Sequence, residues 1–401
     1  MKLHLPLSLR CFVVLCLSGA PSVQAVVGST WDPAWGTAGL EGAPDASASQ
    51  YQATITTDGV TALVPPLGQA APWDFGTYTA ITLTGSGNAA ATIVGGASAT
   101  QTPLVGAVER NSWIAAEEGS YSLFVGGSFA DNWQGGAAFN FTGNTHIMVD
   151  GATVANIVGG NYKEGRNAAF TGNSYITVAS GHVTGAIVGA TVVTHNANTS
   201  FTGDTHIFVY TPLSSNDGSA LHSIPANMIM GGFAWGTNTW KTQTLTGNTH
   251  VTVNLESYTG NVTTFSKNIV GGGFNGASGN NQVISGGTNV SVNLAEATMA
   301  DNGKVVGGAW VNAGSASIAG SATLTISGGT FNSWVLGGCW TDSGGTVTSV
   351  GGIQMSLNGG TYNGSVLGAT YISTGNCTMN TGNVSINIGA ESVLGGTLYG
   401  G

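Results

Sequence analysis

One unit is written repeatedly along this chain, and its period constrains the fold more than any other feature. The stretch "FTGNTHIMVDGATVANIVGGNY" (141–162) holds a Thr-Gly-Asn corner, an alternating apolar strand and a Gly-Gly stop. The corner glycine recurs as Gly143, Gly172, Gly203, Gly247, Gly286, Gly320, Gly351 and Gly382. The "IVGG" element or a close variant recurs at 93–96, 124–127, 157–160, 187–190, 229–232, 269–272, 305–308, 335–338, 366–369 and 393–396. A near-constant period of about 30 residues is the signature of a repeat array, in which no unit can bury its apolar face alone.

After each corner, apolar residues alternate with polar ones: Ile147/Val149, Ile176/Val178, Ile207/Val209, Val251/Val253, Val290/Val292, Leu324/Ile326, Met355/Leu357 and Ile386/Ile388. Period-two alternation places them on one face of a strand. The "IV" pair marks a second short strand. A third run precedes each corner, with Phe141, Phe170, Phe201, Leu245, Ile284 and Ile318 two residues before the glycine. Three strands per ~30 residues predict an all-β fold: a right-handed parallel β-helix of about ten coils, stacked ~4.8 Å apart. A propeller would need four strands in ~40–50 residues. Composition agrees. Hydrophobic residues make up 42% and charged residues only 6%, with 65 glycines in 401 residues. That is too apolar and too weakly charged for disorder, and glycine-rich as tight corners require.

Residues 1–25 read as a secretory signal: Lys2 and Arg10, an apolar core from Cys11 to Leu17, and small residues at Val23 and Ala25 for cleavage. Residues 26–78 lack the markers, hold Trp31, Trp35 and Trp73, and read as an N-terminal cap. Residues 79–401 form the repeat domain. No later segment is apolar enough to cross a bilayer. The chain ends at "VLGGTLYGG" without a cap-like sequence, so its last coil is a candidate surface for self-association. Net charge is −10, and no cluster of Lys or Arg exists to meet a phosphate backbone, which argues against nucleic acid. Cys339 and Cys377 fall in different repeat columns, so no disulfide is expected between them. The long connections at 210–227, 254–268 and 293–304 all lie between the post-corner strand and the "IV" strand of their repeats. They are expected to project from one edge.

The signal, the Gly/Asn/Thr-rich repeats and the "TGN…I.V…IVGG" pattern resemble the passenger regions of bacterial autotransporters and related surface adhesins, over about residues 80–401. The resemblance implies a parallel β-helix displayed outside the cell. It departs from the family pattern in lacking a C-terminal membrane barrel, with its ~10-residue alternating strands.

Two columns are candidate sites. His146, His206 and His250 share a repeat position with Tyr175, Asn289, Thr323, Gln354 and Ser385. Alternation turns this column outward. Histidines two coils (~9.6 Å) apart cannot share a zinc bound at ~2.1 Å, so a solvated polar column without metal is expected. Two residues after each Gly-Gly pair stand Phe129, Tyr162, Phe274, Trp310, Trp340 and Tyr371, with Val192, Ala234 and Leu398 in the remaining places. Such a ladder either contacts flat, apolar sugar faces or packs neighbouring coils together. Catalytic groups are not expected. The carboxylates are scattered, Glu117-Glu118 would point to opposite sides of a strand, and no nucleophile or phosphate-loop motif occurs. The expectation is therefore a non-enzymatic, cofactor-free surface or extracellular β-solenoid, or a periplasmic one if no outer-membrane exporter serves it. It would act in adhesion or a structural layer, with glycans or a host matrix as partner. The alternatives are a carbohydrate-active β-helix enzyme (lyase or hydrolase) and a self-associating scaffold with no ligand.

Overall fold

The structure, a computed structural model, describes residues 24–26, 50–54, 62–63, 78–84, 87–96, 106–109, 111–130, 139–163, 168–193, 198–213, 227–235, 241–260, 264–342, 344–373 and 380–400. Among these residues every regular element is a strand. Nearly all pairing is parallel and runs from each coil to the next, which makes the chain a β-solenoid. Among the described residues no helix is long and apolar enough to cross a membrane. Residues 1–23 of the expected signal lie outside the described residues. Gln24–Val26 pairs antiparallel with Gln52–Thr54, so the expected cleavage point after Ala25 falls inside a strand.

A single coil shows the plan. Phe139–Thr142 approaches the corner, Thr145–Val149 leaves it, Thr153–Val158 carries the "IV" pair, and Tyr162–Lys163 follows the glycines. The last of these is a fourth strand that the three-strand reading missed. It is only two residues long, too short for alternation to reveal. Complete coils number about eight rather than about ten.

Nine of the ten "IVGG" elements stack in register, from Ile93–Val94 through Val366–Leu367. The tenth does not. Val393–Leu394 pairs with Thr361–Tyr362, and Leu398–Tyr399 occupies the position above Val366–Leu367. The apolar column decides: Leu394 continues the line Phe331–Tyr362, and the true last element is "LY" before Gly400. Leu398 therefore lies outside the aromatic column.

The main core follows the predicted columns. Ile147, Ile176, Ile207, Val251, Val290 and Leu324 stack directly and are buried together with the first residue of each "IV" pair. Each fully buried Val or Ile contributes roughly 1.5–3 kcal/mol, repeated at every coil. Phe141, Phe170, Phe201, Leu245, Ile284 and Ile318 form a second internal column beside the Gly-Gly corner. The first two ring pairs stack at 5.2 and 4.4 Å.

The two repeat markers are two halves of one contact. At six successive corners a Ser or Thr stands near the start of the post-corner strand, and its hydroxyl donates to the carbonyl of the first glycine of the pair. Ser112 reaches Gly126, Thr145 Gly159, Ser174 Gly189, Thr205 Gly231, Thr249 Gly271 and Thr288 Gly307, all at 2.5–2.7 Å. A Cβ on Gly126, Gly159, Gly189 or Gly231 would meet both the Ser or Thr side chain and the glycine oxygen of the next coil. At Gly159 it would lie 2.4 Å from the Gly189 oxygen and 2.9 Å from Ser174 Oγ. The corner asparagines form a second ladder. Each side-chain Oδ1 accepts the amide at the same position one coil on, from Asn111 through Asn144, Asn173 and Asp204 to Asn248.

The long connections do not simply project. Thr264–Phe265 pairs with Thr298–Met299, and this line continues through Phe331 and Tyr362 as a further internal strand. Phe265, Met299, Phe331 and Tyr362 are all buried in the main core. Once a connection is long enough to supply another apolar column, stacking draws part of it inward.

Gly203 has φ +137°, and a Cβ there would lie 2.0 Å from the Gly172 oxygen. Gly344 has φ +92° but nothing within 4 Å of a Cβ. Gly203→Ala is expected to cost about 3 kcal/mol or more and Gly344→Ala about 1 kcal/mol, read by urea denaturation. Equal costs would show that backbone conformation, not coil-to-coil approach, requires the corner glycines.

Candidate functional site

The Gly-Gly bend places two outer columns side by side. Ile157 belongs to the main core, so its neighbour Val158 faces the other side of the strand. There the second residues of the "IV" pairs pack against the residue two beyond the glycines. Phe129, Tyr162, Val192, Ala234, Phe274, Trp310, Trp340 and Tyr371 stack in that order, in register. They share one cluster with Val158, Val188, Met230, Val270, Val306 and Leu336. The aromatic column thus lies on the outer side of the glycine strand, packed into a core of its own. Phe129, Tyr162, Phe274 and Trp340 are buried.

Toward the C-terminal end the column opens. Trp310 and Tyr371 are only half-buried, and Trp334, which sequence reasoning missed, joins them. Trp334 meets Trp340 edge-on at 5.6 Å and Tyr371 at 4.7 Å, while Trp340 stacks on Tyr371 at 4.4 Å. Lys304 Nζ lies 5.0 Å from the Trp310 ring and 4.9 Å from the Trp340 ring. Burial lowers the Lys304 pKa, and Asp342 opposes that shift. The Trp340 indole N–H donates to Asp342. The result is a half-exposed aromatic knot with one cation and one carboxylate at its edge. Trp334 immediately precedes the Val335–Leu336 strand and carries no repeat signal, which is why the spacing did not reveal it.

The histidine column differs from the solvated row that its alternation predicts. Trp113, His146, Tyr175, His206 and His250 form one continuous stack of rings, with centroids 3.5, 4.5, 4.7 and 4.6 Å apart and interplanar angles of 10° or less. In-register parallel strands bring like side chains to stacking distance, and flat rings bury one another's faces. His146 is only 3% exposed, and its Nδ1 has no hydrogen-bond partner among the described residues. Burial, and then repulsion from His206, push its pKa down to about 3. Burial and His250 push His206 down to about 4, with Asp204 opposing. Burial also lowers His250, again against Asp204.

The spacing argument against metal fails at one step. His206 and His250 are not two coils apart, because the 44 residues between them make a single long coil. With Asp204 they place one ligand atom each within 4.8 Å of one another, the only group of three metal-capable side chains found among the described residues.

Other expectations resolve simply. Glu117 and Glu118 occupy a bend rather than a strand, and both are exposed. Cys339 is buried, its sulfur accepting the Ala309 amide, whereas Cys377 lies outside the described residues. Lys267, fully buried, donates from Nζ to the carbonyls of Thr184 and Gly185 at 2.7 Å, and burial lowers its pKa to about 7. Comparison with family models, curated proteins and solved structures finds no match.

The lowered histidine pKa values set a direction for acid stability. The unfolded chain binds protons near pH 6.5, whereas folded His146 and His206 bind them only near 3 and 4. Their neutral packing is therefore retained above about pH 6.5 and lost progressively as pH falls toward 4. The loss is up to about 1.4 kcal/mol per pH unit for a buried histidine, and less for the more exposed His206. Urea midpoints are expected to fall between pH 7 and pH 5. His146→Asn, which places at this rung the residue found at Asn289, should flatten that dependence. An unchanged slope would locate the acid sensitivity elsewhere.

Proposed function

We propose that this chain is an exported, non-enzymatic β-solenoid that works by contact outside the cell, as an adhesive or layer-forming surface protein. The observation that carries this reading is the aromatic knot of Trp310, Trp334, Trp340 and Tyr371. It sits on the outer side of a regular stack whose interior is filled by repeated packing columns. Half-buried indole and phenol rings offer apolar faces and edges to the apolar face of a sugar. The Lys304–Asp342 pair beside them offers polar contacts to its hydroxyls. The buried members, Phe129, Tyr162 and Phe274, serve as packing that holds the exposed rings in register. Export rests on the signal-like residues 1–25, and display at a bacterial surface rests on the autotransporter-like repeats.

Two measurements test the proposal. Wild-type protein is expected to bind a subset of glycans on an array. Trp310→Ala/Trp334→Ala is expected to weaken that binding at least tenfold while shifting the melting temperature by only a few degrees, because both rings are half-buried. Undiminished binding, or a wild type that binds no glycan, would overturn the glycan contact. For export, mass spectrometry of protein recovered outside the cytoplasm should find a new N-terminus at Val26.

A further inference from the structure

We propose that Asp204, His206 and His250 form a binding site for a divalent transition metal of the zinc type, clamping the two ends of the longest coil. Three observations lead there.

The first is proximity. His206 and His250 are register partners on adjacent coils, with rings 4.6 Å apart and nearly parallel. Asp204, at the corner two residues before His206, brings its carboxylate into the same space, all three ligand atoms lying within 4.8 Å. Donors that share a tetrahedral zinc stand about 3.4 Å apart, given bonds of about 2.1 Å. The closure needed is therefore small. A tilt of each imidazole about χ2 supplies it, since that terminal torsion is broad.

The second is the identity of residue 204. Its column is a ladder of side-chain amides: Asn111, Asn144, Asn173 and Asn248. Asparagine suffices for that work, because only Oδ1 accepts the next coil's amide. Asp204 does the same through Oδ1, accepting the Asn248 amide at 2.7 Å. Replacing the amide NH₂ with oxygen adds nothing to the ladder. It adds a second, charged acceptor beside two imidazoles, at the one rung where two histidines are adjacent.

The third is the state of the donors. No described residue hydrogen-bonds the ring nitrogens of His206 or His250, or Oδ2 of Asp204. All three residues are half-buried, screened from bulk water yet reachable by an ion. Two imidazoles and one carboxylate suit zinc and its first-row neighbours, not magnesium or calcium, which prefer all-oxygen shells. Three protein ligands leave a fourth position to water or to a donor on a partner.

The location gives the site a purpose. Corresponding corner residues are 29 and 31 apart in the two preceding coils, but Asp204 and Asn248 are 44 apart. Closing the longest coil costs the most chain entropy, and an ion bound only by the folded form offsets it.

The test uses the whole chain, stripped with chelator, and zinc chloride as probe. Calorimetry is expected to show one zinc per chain, with a raised melting temperature and no comparable response to magnesium or calcium. Asp204→Asn restores the asparagine ladder, and His250→Asn copies the next rung, Asn289, so both variants have a precedent in the fold. Each should weaken zinc binding at least tenfold while leaving the metal-free melting temperature within a few degrees of wild type. Should either variant fail to fold, histidine ring-nitrogen NMR of wild type during zinc titration decides instead, with shifts expected at His206 and His250 and not at His146 or His182. Absent or sub-stoichiometric binding, unchanged affinity in the folded variants, or shifts centred on other histidines would overturn the site.

Discussion

Everything in this solenoid depends on how closely one coil's backbone can lie on the next at the Gly-Gly bend. The approach is tight enough that a Cβ on Gly126, Gly159, Gly189 or Gly231 would lie 2.2–2.4 Å from the oxygen of the glycine above. The space inside the bend is filled by a Ser or Thr hydroxyl bonded to the glycine carbonyl. Such a bond is worth only about 1 kcal/mol net, but leaving the buried hydroxyl or carbonyl unpaired would cost about 1–3 kcal/mol. Beyond Thr288 the hydroxyl gives way to Ala322 and Ile353, which join the apolar column of Phe141 and its successors. The bend can be held by polar or by apolar filling, provided the glycines remain.

The same register that builds the interior builds two ring ladders outside it. Parallel in-register pairing repeats each side chain at a fixed spacing, so a ring at one position meets whatever the next coil offers there. At the Gly-Gly bend this gives an aromatic column packed on outward valines. On the post-corner strand it gives the Trp113–His250 stack. In both ladders the buried rungs act as packing, and chemistry collects where the ladder opens: the Trp334 knot in one, the Asp204–His206–His250 group in the other.

Much was legible in the text of the chain. The columns Ile147 to Ile386 and Phe141 to Ile318 fall where alternation and spacing put them, because a stacked fold makes every repeat vote for the same register. The aromatic column was legible as a column, but not its facing, because a bend resets alternation. The misreadings share one cause. A marker was taken at face value at 393–396, although Leu394 continues the Phe331–Tyr362 line. Likewise, neighbouring histidines of the column were placed two coils apart, although Thr205 and Thr249, and with them His206 and His250, are direct neighbours.

Sequence by itself determined the solenoid, its parallel columns and its glycine corners, since a 30-residue period with period-two alternation can bury its apolar face only by stacking. Tertiary structure alone decided which residues meet across coils of unequal length. Contacts between coils depend on register, and insertions change the number of residues per coil without changing the register. That is how His206 and His250, far apart in the chain, become stacked neighbours, and how Trp334, unmarked by any repeat, joins Trp340 and Tyr371.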